Sequence, residues 1–219
     1  MANYIEKPEY SGLFITLEGV DGCGKSTQAE LIAEYLEDKG LRVVCLREPG
    51  GTIISEKIRT LLLDISNQEM HPDCELLLYE AARAQLTRQV IEPALQAGSI
   101  VLCDRYYDST YAYQAIGRGI NKSLVMKANH IGSCGYVPDA TFVFDIDPKE
   151  AMKRACKRDE LDRLELEGVE FQERVRKGYK DLAFMEKRVK LIDACGSVDE
   201  VYARVEAQLD KLLAGRFNG

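Results

Sequence analysis

Gly19-Val20-Asp21-Gly22-Cys23-Gly24-Lys25-Ser26 follows closely on the apolar run Leu13-Phe14-Ile15-Thr16-Leu17 and leads into residues of helical spacing. A glycine, four free positions and then Gly-Lys-Ser is the P-loop pattern. Its glycines let the backbone wind tightly, so that successive N–H groups point inward at phosphate oxygens. Lys25 is spaced to reach the β and γ phosphates, and the Ser26 hydroxyl to hold a magnesium ion. A helix from Thr27 onward turns its positive end toward the same phosphates. The stretch Gly19 to Thr27 is therefore the expected nucleoside-triphosphate site. The strand before it and the helix after it separate it from a glycine-rich turn with no ligand.

Composition sets the limits around that loop. The chain has 219 residues, 46% hydrophobic and 30% charged, which suits a soluble α/β protein with a sizeable core. No apolar run reaches the ~20 residues of a membrane helix, and the acidic N-terminus MANYIEKPEYSG does not read as a signal peptide. A net charge of −7 argues against a nucleic-acid polymer as partner. Seven scattered cysteines with no CxxC pair, beside only two histidines, argue against a zinc site and fit a reducing cytoplasm.

Strand and helix patterns alternate along the whole chain. Strands are expected at Leu13–Leu17, Arg42–Leu46, Ile100–Cys103, Thr141–Ile146 and Val189–Ile192. Between them lie helices, including a long one from about Cys74 to Gln96 and a last one opened by a Ser197/Glu200 capping box. The expectation is a three-layer α/β P-loop fold with a five-stranded, mostly parallel sheet. Residues 1–12 read as an N-terminal extension, 13–215 as one domain, and about 153–167 as a charged insertion within it.

The strand-end pair Asp104-Arg105 narrows the chemistry. Many ATP hydrolases carry a water-activating Glu after this Asp; an arginine instead suits holding a second phosphate in line with the first. A guanine reader is absent, since Asn121-Lys122-Ser123-Leu124 lacks the final Asp. A transferase must also exclude water when loaded, and a cationic lid does that. Lys153, Arg154, Lys157, Arg158 and Arg163 supply the cations, although Asp159, Glu160 and Asp162 among them also fit a solvated surface.

With these motifs in order, the sequence resembles the thymidylate kinase family from Leu13 onward. The resemblance rests on Glu18 to Ser26, Arg47-Glu-Pro-Gly-Gly51, Tyr79-Glu-Ala-Ala-Arg83, Asp104-Arg-Tyr106 with Ser109 and Tyr113-Gln114, and the basic segment. It implies transfer of phosphate from ATP, with Mg2+, to dTMP, by a cytoplasmic homodimer. It casts Arg105 and Arg59 as clamps on the acceptor phosphate, Arg83 as a donor to the thymine carbonyl and Tyr79 as a stacking ring. It places Thr110 and Gln114 along the base pocket, Ser109 among the substrate-binding residues, Tyr113 against a ribose 2′-hydroxyl, and Asp21 and Glu48 near the deoxyribose and phosphate. Lys25, Asp21, Arg105 and Arg158 become the catalytic set, Ser26 and Asp104 the magnesium holders, and Arg154 and Arg163 cations beside ATP. No arginine sits inside the P-loop, which implies the bacterial arrangement with its catalytic cation on the lid. Another nucleotide or nucleoside kinase, or a non-enzymatic P-loop switch, remains open at this stage.

Overall fold

A computed structural model describes residues 8–155 and 163–217. One five-stranded sheet, all pairs parallel, runs in the order β2-β3-β1-β4-β5. The strands are β1 (Leu13–Glu18), β2 (Val43–Arg47), β3 (Ile100–Asp104), β4 (Ala140–Asp145) and β5 (Val189–Asp193). Central β1 is buried along its whole length. Its side chains alternate between two cores, as a period of two requires. Leu13, Ile15 and Leu17 meet Ile32 and Leu36 of α1 (Lys25–Asp38), whereas Phe14 faces Leu86, Ile91 and Leu95 on the other side. Each such side chain, fully buried, stabilises the fold by about 1.5–3 kcal/mol. Because all strands run the same way, their last residues, Glu18, Arg47, Asp104, Asp145 and Asp193, share one edge of the sheet. Charge collects at the carboxyl ends, where open α/β sheets bind ligands.

The remaining helices are α2 (Ile53–Leu63), α3 (Pro72–Leu86), α4 (Glu92–Gln96), α5 (Tyr107–Thr110), α6 (Lys122–Gly132), α7 (Pro148–Ala155), α8 (Val169–Met185) and α9 (Val198–Phe217). The helix expected over 74–96 forms as one unbroken helical run made of α3, a π-helical turn Thr87–Ile91, and α4. Pro93 cannot donate to the helical ladder, and the wider turn precedes it. The Ser197 box forms as expected: Ser197 Oγ accepts from Glu200 N at 3.2 Å, and Glu200 Oε2 accepts from Ser197 N at 2.8 Å. The end of the segment before β1 is held against the domain. The Tyr10 hydroxyl donates to Val137 O (3.1 Å), its ring stacks on Tyr136, and Gly12 N donates to Leu95 O (2.9 Å).

A second π-helical turn, Tyr111–Gly117, continues α5 and is laid against α8. Their contact is close because Gly178 has no side chain: a Cβ there would stand 3.0 Å from Ala112 Cα and 3.1 Å from Ile116 Cγ1. This packing fixes Tyr113 and Gln114, which the turn carries. Gly178→Val should therefore overpack the contact and lower stability by about 1–3 kcal/mol. A urea midpoint unchanged from wild type would show that the helix and the turn do not bear on one another at this point.

Candidate active site

The P-loop adopts the backbone its glycines permit, with φ of 139° at Gly19, 80° at Gly22 and 97° at Gly24. Gly24 caps α1 with no side-chain hydrogen bond, which leaves the first N–H groups of the helix for an anion. Lys25 Nζ arches back over the loop, donating to Gly19 O (3.0 Å) and Val20 O (3.1 Å). Asp21, Gly22, Gly24, Lys25, Ser26 and Thr27 line a cavity of about 550 Å³ at the carboxyl edge of the sheet. Val20 and Cys23 point the other way, into the core. Burial raises the Cys23 thiol.

Arg105 joins the loop to the opposite wall. Its Nη1 donates to Gly19 O (3.0 Å), Ser109 Oγ (3.2 Å) and the Tyr179 hydroxyl (3.3 Å). Its Nη2 donates to Asp21 Oδ1 (2.6 Å) and the Tyr113 hydroxyl (3.3 Å). The backbone is left-handed here (φ 70°), a conformation that costs a side-chain-bearing residue about 1–3 kcal/mol. Burial alone would raise the Asp21 carboxyl, but Arg105 and Lys25 more than offset it and hold the pKa at about 2. Asp21 is thus ionised throughout the working range, and its pairing with Arg105 persists.

Glu18, the last residue of β1, lies beneath this cluster. It accepts from Tyr106 N (2.8 Å), Ser109 Oγ (2.6 Å) and the Tyr179 hydroxyl (2.9 Å). Burial and the charge of Asp108 push it up to about 7, against the pull of Arg105. The sequence marked Glu18 only as part of a motif; a carboxylate ending an otherwise apolar strand was the signal.

Ser109, Thr110, Tyr113, Gln114, Tyr79, Arg59 and Glu48 all line the same cavity. Thr110 Oγ1 and Glu48 Oε1 are buried there without a protein partner. Arg59 Nη1 donates to Pro49 O (2.9 Å). Arg47, which the sequence presented only within the Arg-Glu-Pro-Gly-Gly motif, also reaches the cavity and pairs with Glu56.

Two expected residues are placed differently. Arg83 is buried outside the cavity lining, held by Glu48 Oε2 at 2.8 Å and by Glu80, over the Tyr106 ring. Glu48 and Glu80 together secure this guanidinium, and burial pushes Glu48 up to about 8 against the pull of Arg83. Arg163 does not face the P-loop: it is buried, with Nε donating to Leu62 O (3.0 Å) and Nη2 paired with Glu75. Glu75 attracts it because burial leaves that carboxylate in need of cations. Arg154, on the last turn of α7, does line the cavity. Arg158 lies outside the described residues.

At the position expected to hold a metal ion, Ser26 Oγ donates to Asp104 Oδ2 (3.4 Å), while Asp104 Oδ1 is buried without a partner. A hard cation sharing phosphate oxygens fits one carboxylate and one hydroxyl of this kind. Among the described residues no cluster of three or more His, Cys, Asp or Glu side chains forms a separate metal site.

A parallel 2-3-1-4-5 sheet with its phosphate loop after the central strand, and an arginine after the β3 aspartate, defines a P-loop nucleoside monophosphate kinase, a phosphotransferase class. The family model for thymidylate kinase matches residues 17–205. A thymidylate kinase of Prosthecochloris aestuarii is 47% identical over 203 residues, covering 88% of this chain and 91% of the relative. That of Ectopseudomonas mendocina is 46% identical, covering 93% and 97% respectively. The crystal structure of thymidylate kinase from Ehrlichia chaffeensis superposes with a TM-score of 0.74 at 36% identity, over 91% of this chain and 99% of that one. The chain belongs to the thymidylate kinase family.

The raised Glu18 has a pH signature. Between about pH 4.5 and 7 the folded chain retains a proton that the unfolded chain has released. Stability contributed by this group therefore falls as pH rises through that window. Glu18→Gln, whose amide can face the same hydroxyls, should remove that part of the decline when unfolding free energy is measured from pH 4 to 8. Parallel profiles for the two proteins would contradict the assignment.

Proposed function

We propose that this chain transfers the γ-phosphate of ATP to dTMP, giving dTDP and ADP. The observation that carries the proposal is Arg105, one guanidinium bonded both to the phosphate loop and to the wall that holds Ser109 and Tyr113. Loop N–H groups and Lys25 bind the donor phosphates. Arg105, with Arg59, holds the acceptor phosphate so that its oxygen stands in line with the donor. No general base is needed, because a phosphate monoester is already largely doubly ionised near neutral pH. Ser26 and Asp104 would hold Mg2+, which when bound neutralises phosphate charge. Tyr79, Thr110 and Gln114 bound the base, while Arg83 supports that wall through Glu48.

Residues 13–215 act as one kinase domain after the 1–12 segment, with a lid at about 153–167. Lid closure brings Arg154 and Arg158 toward the transferring group and excludes water. A homodimer is supported by exposed apolar side chains on three adjacent helices, Leu61 on α2, Leu77 on α3 and Ile131 on α6. A reducing, cytoplasmic setting is supported by the free thiols of Cys23, Cys45, Cys74, Cys103, Cys134 and Cys195. No helix among the described residues is long and apolar enough to cross a membrane.

A coupled ADP-release assay with ATP and a panel of dTMP, dUMP, dCMP, AMP and GMP tests the proposal. dTMP should be the preferred acceptor, with dUMP within a factor set by one methyl group, ~1–3 kcal/mol. Arg105→Lys should reduce kcat/KM about 10²–10³-fold, and Arg158→Ala should cut turnover far more than dTMP affinity. A clear preference for AMP, or ATP binding with no transfer to any acceptor, would overturn the reading.

A further inference from the structure

Among the described residues, Glu75 is the most heavily committed carboxylate outside the machinery described above. It stands on α3, and its side chain is 1% exposed. Oε1 accepts from Gln114 Nε2 (2.7 Å) and Arg118 Nε (3.2 Å); Oε2 accepts from Arg118 Nη2 (3.1 Å) and from Arg163. Burial alone would raise this carboxyl, but the hydrogen bonds of Arg118, Gln114 and Arg163 more than offset it and lower its pKa. The group is therefore an anion, and an ionised carboxylate can only accept.

That restriction decides the orientation of the Gln114 amide. Turning the amide over would set its carbonyl oxygen against Glu75 Oε1 at the same short separation, two acceptors face to face. Gln114 Nε2 is held on Glu75, and its Oε1 points away. Gln114 also lines the cavity beside Thr110 and Tyr79, so the wall offers a fixed acceptor there. Thymine and uracil carry an imide N–H between two carbonyls and match an acceptor. Cytosine carries a bare ring nitrogen at the same place, and two lone pairs then oppose each other.

We infer that Glu75 is a positioning residue that sets the base selectivity of the acceptor pocket, by locking Gln114 with its carbonyl outward. Arg118 and Arg163 keep the carboxylate charged and in register. Arg163 is itself fixed by Leu62 O, and Arg118 by Glu167, so the C-terminal part of the 153–167 segment is tied to the same anion. The inference rests on the proposed dTMP kinase reading and adds the residue that orients its base reader.

The test is the ratio of kcat/KM for dTMP over dCMP in wild type, Glu75→Gln and Gln114→Leu. A glutamine at 75 can either donate or accept, so Gln114 is free to turn. The ratio should fall about tenfold, with the loss on dTMP carried mainly in KM. Gln114→Leu should lower the ratio in the same direction. Should Glu75→Gln alone not fold, combining it with Arg163→Met removes the cation left unpaired and carries the same test. An unchanged ratio in the folded Glu75 variant, with both substrates slowed equally, would reduce Glu75 to a structural role and overturn the inference. An unchanged ratio in Gln114→Leu would also overturn it. Wild-type protein inactive on dTMP would instead defeat the reading beneath it.

Discussion

The structure depends on one guanidinium. Arg105 emerges from the end of β3 in a left-handed backbone conformation and reaches five oxygens, on Gly19, Asp21, Ser109, Tyr113 and Tyr179. Those acceptors come from the phosphate loop, from α5 and its π-helical extension, and from α8. No other contact described above gathers so many parts of the site. The strain at φ 70° is offset by the hydrogen bonds that only this geometry allows, and each charge-assisted bond is worth roughly twice a neutral one. Glu18 supports the arrangement from below by holding Ser109 and Tyr179, two of the same acceptors.

The same device recurs elsewhere in the molecule. Glu48 and Glu80 hold Arg83; Glu75 holds Arg118 and Arg163; Asp108 grips Arg188 with bonds of 2.7 and 2.8 Å. A buried ion pair adds little net stability, because desolvation cancels most of its attraction, but removing one partner is costly. Such pairs fix where polar side chains stand.

Much of this was legible in the sequence. The P-loop, the five strands and the Ser197 capping box depend on local spacing, and all form within a residue or two of where spacing puts them. Asp104-Arg105 was legible because a strand end and a charged pair coincide. What was hidden depends on partners distant in sequence. That Glu48, 35 residues away, holds Arg83, and that Glu75, 88 residues away, holds Arg163, cannot be read from local spacing. Glu75 itself went unmarked, although a charged residue on the buried stripe of α3 that includes Leu76, Arg83 and Leu86 needs a partner somewhere. The π-helical turns were not legible either, since residue spacing does not distinguish a widened turn from an α-helix.

The central claim is that Arg105 is a preset clamp for the acceptor phosphate. Titration calorimetry of dTMP and of thymidine, which lacks the phosphate, against wild type and Arg105→Lys tests it most directly. Because both ligands share the base pocket, any general loosening of that pocket cancels in their ratio. The account predicts that the preference for dTMP over thymidine falls about tenfold or more in the variant. A preference equal in the two proteins would contradict it.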